Sequence, residues 1–182
     1  MSKKIYKCGL IGGIIVFIWG MAFSMLFPWH KTEFKKFSSE KSVKYCIQDN
    51  APESGLYQLP SVNYKDGQKK MDAEKRMQEG PYAFVAVRLE GKQLGVYGSR
   101  VAMFLVDVIV ATIVTWLLFQ TRLSYKHSLL FLALIGFSFA MMHAVPMVIW
   151  IGFPAMFAFT TIIKSVSGWM LAGLAITKIA KR

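Results

Sequence analysis

Hydrophobic and polar positions alternate along this chain on the scale of whole segments rather than single helix turns. Four stretches are almost wholly apolar: residues 9–27, 101–119, 128–151 and 155–177. As helices, each is about 28 Å or longer, enough to cross a ~30 Å hydrocarbon core. The pattern therefore predicts an α-helical membrane protein of four transmembrane helices, with a small α+β insert between the first two. The segments run as 1–27 (N-terminus and first span), 28–100 (insert), 101–119, a loop at 120–127, 128–151, a turn at 152–154, 155–177, and a tail at 178–182. Pro146 lies within the third run; it either stays inside the helix or ends it and leaves 146–154 in the interface. Gly152 and Pro154 mark a tight turn either way.

Short loops set the orientation. Lys3, Lys4 and Lys7 precede the first run, Arg122 and Lys126 join the second to the third, and Lys178, Lys181 and Arg182 follow the fourth. The turn at 152–154 has no charge. The positive-inside rule places both termini and the 120–127 loop in the cytoplasm, leaving the insert outside. Trp29, Tyr97 and Trp150 fall at the outer boundary and Tyr6 and Tyr125 at the inner one. The first 22 residues also fit a cleaved signal peptide, but an apolar run that continues to Phe27 favours an uncleaved helix.

The insert has its own pattern. Ser38 and Ser39 can cap a helix through about Gln48, with Phe34, Phe37, Val43 and Ile47 as its apolar side. Residues 50–55 read as a turn, 56–60 as a short strand, and 65–79 as loop then charged helix. Residues 82–89 make the best strand of the chain, with a hairpin expected through Glu90, Gly91 and Lys92. A unit of this size buries little core, so it should lean on the membrane surface, the helix ends or a second subunit.

Charge changes the picture in one respect. The net charge is +12, yet nine of the ten acidic residues lie between His30 and Gly98, and the basic excess sits at the ends of apolar runs. That distribution excludes nucleic acid as the partner, which would need a basic face or tract. Cys8 at the inner boundary and Cys46 in the insert cannot share a disulfide in this topology. Cys46 could bridge to a second chain or lie buried as an apolar residue.

Three ionisable residues lie inside apolar runs: Asp107, His143 and Lys164. Counted from the ends of their runs, they fall about 10, 12 and 14 Å below the outer boundary, which places an acid, an imidazole and an amine at nearly one depth. A charged group there costs at least ~2.5 kcal/mol on insertion scales, so the three are expected to face the bundle interior. They read either as a neutralising Asp107–Lys164 pair with His143 nearby, or as a proton or ion site. A metal centre built on His30, His143 and Asp107 has no ligand spacing to support it, and no HExxH, CxxC, P-loop, GxSxG or GxGxxG pattern occurs. No catalytic residue, metal or cofactor is expected. Small residues at Gly9/Gly13, Gly136/Ala140/Ala144 and Gly168/Ala172 permit close helix packing, within one chain or in a homo-oligomer.

Trp19-Gly20, Pro28-Trp29-His30, Glu53-Ser54-Gly55-Leu56-Tyr57 and the run from Gly80 to Val85 together resemble a group of uncharacterised small bacterial inner-membrane proteins. The likeness covers mainly residues 10–90. It implies a bacterial inner membrane and supplies no activity or cofactor. Trp29 and His30 read as an interfacial anchor. The expected function is a non-enzymatic accessory or scaffold protein embedded in the lipid bilayer, whose insert (31–99) contacts a protein partner. The alternative is a small oligomeric transporter or ion-conducting protein using Asp107, His143 and Lys164.

Overall fold

The computed structural model describes residues 2–27, 35–61, 67–91 and 95–180; Trp29 and His30 lie outside them. In chain order the elements are α1 (Ser2–Leu26), α2 (Glu40–Asn50), β1 (Gly55–Leu59), α3 (Gly67–Glu79), β2 (Ala83–Val87), α4 (Gly95–Gln120), α5 (Tyr125–Pro146), a π turn (Met147–Ile151) and α6 (Ala155–Ala180). They form two compact units, residues 1–34 with 94–182, and residues 35–93. In the first unit, α1, α4, α5 with its π turn, and α6 are all long and apolar enough to cross a membrane. The fold is that of a four-helix, multi-pass membrane protein carrying a two-stranded sheet between its first two long helices.

Packing in the helical unit is uneven. α1 lies against both α4 and α6, and α6 lies against α5. Small residues make these approaches close. A Cβ on Gly9 would fall 2.6 Å from the Thr112 Cα, and one on Gly13 would fall 2.6 Å from the Val108 Cα. The Gly9/Gly13 face is thus filled by α4 of the same chain. Gly136 accommodates the Trp169 indole, with Ser165 Oγ donating to the Gly136 carbonyl at 2.7 Å. Gly168 lies under Trp19, whose Nε1 donates to Ser167 Oγ at 2.8 Å. Such contacts suit helices in lipid, where association comes from van der Waals fit and interhelical hydrogen bonds rather than from water exclusion. A cluster of Cys8, Ala111, Val114, Leu118, Leu132, Trp169, Ala172 and Ile176 fills the half of the bundle nearest the chain termini.

Two features refine the hydropathy pattern. α4 begins at Gly95, six residues before the apolar run, because an uncharged stretch of Gly95, Val96, Tyr97, Gly98 and Ser99 extends the helix at its N-terminal end. Pro146 stays helical. The wider π turn follows it, and Gly152, at φ +82°, ends the turn with its N–H donating to the Met147 carbonyl. That left-handed conformation is open to glycine without steric cost.

The inserted unit obeys its local signals. Ser39 is the N-cap of α2, its hydroxyl accepting from the Ser42 N–H at 3.2 Å. β1 and β2 pair antiparallel, with Gly55 opposite Val87 and Leu59 opposite Ala83. The expected hairpin through Glu90 is replaced by this non-local pairing across α3. Leu89 and Glu90 form a turn, and the chain enters α4 at Gly95. Ser54 fixes that turn by accepting from the Leu89 N–H at 3.0 Å while donating to Glu90 Oε2 at 2.8 Å. Tyr57 Oη donates to the Glu53 carbonyl at 2.7 Å and braces the chain entering β1.

Candidate functional site

Side-chain contacts fix the heights of the three ionisable residues within the helical unit. α1 and α4 run antiparallel with Gly9 against Thr112, Gly13 against Val108 and Phe17 against Phe104. In that register Asp107 stands level with Ile14, the midpoint of α1. On the other side of α1, Gly12 meets Ile176 and Trp19 meets Gly168, which sets Lys164 level with Phe23. Nine residues of α1 separate the two levels, about 13 Å. His143 is farther again from the level of the chain termini, its ring 6.2 Å from that of Phe157, and it is exposed on the helix surface.

The near-equal depths expected from the sequence are therefore not seen. Part of the physical reason is the early start of α4, since Asp107 is twelve residues into its helix when measured from Gly95; the rest is the register of α6, whose start stands beyond the end of α1. Asp107 shares the inward stripe of α4 with Ala111, Val114 and Leu118, all buried, and is itself half-buried. Lys164 is half-buried on α6, and its charge acts on Asp107. Among the described residues no ion pair within 4.0 Å joins the two, and no hydrogen bond ties His143 to either. No group of three His, Cys, Asp or Glu side chains among the described residues could hold a metal ion.

One buried polar group was not singled out by sequence. Thr115 is fully buried on the same face of α4, and its Oγ1 has no hydrogen-bond partner. Its neighbour Thr112, by contrast, donates to the Val108 carbonyl at 2.7 Å, the ordinary solution for a hydroxyl in a membrane helix.

The inserted unit carries a different feature. Between α2 and the end of β2 runs a groove of about 350 Å³, floored by Phe37, Val43, Ile47, Val87 and Leu89 and edged by Glu40, Lys44, Gln48 and Arg88. Positions 40, 43, 44, 47 and 48 recur at three and four residues, so one face of α2 supplies most of the wall. The α2 half of this groove was legible as an apolar stripe. The β2 half was not, because it depends on a strand pairing with α3 between the partners. A second groove, about 280 Å³, lies on the helical unit between Trp19, Leu129 and Leu174; it is apolar apart from the already bonded Ser167 and offers no reactive group.

These features define a multi-pass helical membrane protein with a groove-bearing inserted unit and one inward-facing carboxylate. No family model matches the chain. Neither a curated protein nor a solved structure matches it.

Proposed function

We propose that the chain is a non-enzymatic accessory protein of a bacterial inner membrane, with both termini cytoplasmic, whose external unit docks a protein partner in the α2/β2 groove. The observation that carries this reading is the groove itself: an apolar floor with a charged edge, in a unit that leaves much apolar surface uncovered. Leu56 and Phe37 are 72% and 67% exposed, and Tyr45 and Leu59 are more than half exposed. Apolar patches rimmed by polar groups are what protein interfaces present before their partners arrive. The edge carries Lys44 and Arg88 against Glu40, and the chain from 35 to 48 holds four lysines to one acidic residue. The complementary partner is a segment with apolar side chains flanked by acidic ones.

The reading is tested with photoreactive groups at Gln48 and Leu89 in the groove and at Gln78 on α3 as the comparison. Capture from the two groove positions alone, reduced about tenfold or more by reversing Lys44 and Arg88 to Glu, supports it. Capture that ignores the charge reversal, or none from the groove, overturns it.

The transport reading has less support. Its three residues lie at three heights, and the small-residue faces that would serve an oligomeric pore meet partners inside one chain.

A further inference from the structure

We propose that Asp107 is a proton-binding site at the middle of the helical unit. This goes beyond the docking reading and rests only on its membrane placement. Asp107 faces inward on α4, level with the midpoint of α1, and its stripe continues through Ala111, Val114 and Leu118. Among the described residues nothing within hydrogen-bond or ion-pair distance compensates its charge.

The surroundings leave few other ways to remove that charge. α1, packed directly against α4, has its ionisable groups Lys3, Lys4, Tyr6, Lys7 and Cys8 toward the chain terminus, the nearest of them about 9 Å along the helix from Ile14. α6 contributes Lys164 near its outer half and Lys178 at its far end. On α5 the titratable groups are Tyr125, Lys126 and His127 at one end and the exposed His143 toward the other. On α4 itself Tyr97 and Arg100 lie near the outer end.

Lys164 is the only one of these whose charge acts on Asp107. It acts from a distance: no ion pair within 4.0 Å joins it to Asp107. A metal cation would need several oxygen or nitrogen ligands, and no such group of acidic, His or Cys side chains surrounds Asp107 among the described residues. Taking up a proton removes the charge without any ligand beyond the carboxyl itself, and it spares the cost of an ionised acid in hydrocarbon. The helical unit then carries a titratable proton at its middle.

An apolar carbodiimide tests this directly on the full chain in native membranes. The protonated carboxyl adds across one C=N bond of dicyclohexylcarbodiimide. The acid proton goes to nitrogen and the carboxyl oxygen to carbon, and the O-acylisourea rearranges to a stable N-acylurea with no atom lost. Peptide mapping should find the adduct on Asp107, and its yield should fall about tenfold per pH unit once the carboxyl titrates. Asp107→Glu should keep the adduct, and Asp107→Asn should lose it. Retention after alkaline carbonate washing checks the membrane placement separately. Protein that is retained but shows no adduct on Asp107, or an adduct whose yield ignores pH, overturns the proposal. Because the pH series uses the unaltered protein, a variant that fails to fold does not affect the result.

Discussion

The helical unit and the inserted unit both expose apolar side chains, but for opposite reasons. In the helical unit Leu105, Ile109 and Ile113 point outward from helices that fit a bilayer, where lipid is their solvent, while glycines bring backbones into contact inside. In the inserted unit the exposed Leu56, Leu59 and Phe84 surround almost no core. Its buried apolar residues, among those described, are Ala51, Pro60, Ala73 and Val87, and α2 buries nothing fully. A two-stranded sheet with so little beneath it is marginal alone. Exposure counts as a binding signal only where lipid is not the neighbour. The helical unit is held by fit, and the inserted unit by capping and turn hydrogen bonds.

The largest expected effect comes from breaking that fit. Gly13→Ile would drive a branched side chain into the Val108 backbone, which cannot retreat without parting α1 from α4. We expect a loss of about 3 kcal/mol, read as a lowered unfolding midpoint in detergent micelles. Gly20 is the matched position on the same helix, with no atom within 4 Å of its added Cβ. Gly20→Ala should be neutral or gain up to about 1 kcal/mol from helix propensity. Equal damage at both positions would show that the close α1–α4 approach does not hold the unit together.

In the inserted unit the same comparison predicts smaller numbers. Val87→Ala removes two methyl groups from one of the few buried positions and should cost about 1.5 kcal/mol, seen as faster amide exchange across β1 and β2. Leu56→Ser, on a mostly exposed side chain, should change stability by less than about 0.5 kcal/mol. Amides of α2 and the sheet should exchange well before those of α1 and α6 in either protein. A uniform exchange pattern over both units would remove the distinction between them.

How much of this was legible beforehand follows from how local each feature is. The four spans come from summed hydropathy over about 20 residues and survive errors of several positions. The Ser39 cap and the strands at β1 and β2 are signals carried within a few residues. The β1–β2 pairing is a contact between strands separated by α3, and nothing within 82–92 distinguishes it from a hairpin. The heights of Asp107, Lys164 and His143 depend on helix starts and interhelix register. Hydropathy missed the start of α4 because Gly95 to Ser99 are helical yet only weakly apolar. The choice of partner for Gly9 and Gly13 was equally hidden, since the spacing alone suits an intrachain helix or a second copy.

One interhelical hydrogen bond tests whether polar contacts add to fit in the helical unit. Ser167 Oγ accepts from Trp19 Nε1 and donates its own O–H to the Ile163 carbonyl at 2.6 Å. Ser167→Ala should cost about 1 kcal/mol, and the indole fluorescence should change as Nε1 loses its acceptor. A null result would leave the Trp19–Gly168 contact as the main tie between α1 and α6 at this level.

The smallest effect lies in the inserted unit and depends on pH. The Ser54 hydroxyl, first, and then a backbone hydrogen bond and the charge of Arg88 hold the Glu90 carboxyl below its ordinary value of 4.5. A group whose folded value is depressed contributes stability that is fully present above its unfolded value and is lost as pH falls through the folded one. The turn after β2 should therefore loosen as the solution is acidified below 4.5, with the Leu89 and Glu90 amides exchanging faster. Ser54→Ala should raise the Glu90 carboxyl toward its ordinary value and flatten this dependence, leaving the helical unit unchanged. Glu90 is fully exposed, so solvent screens the effect, and it should appear in local exchange rather than in global unfolding. If acid loosens α2 as much as the turn, the Ser54–Glu90 contact is tied to the whole unit, and its marginal core is more cooperative than its burial indicates.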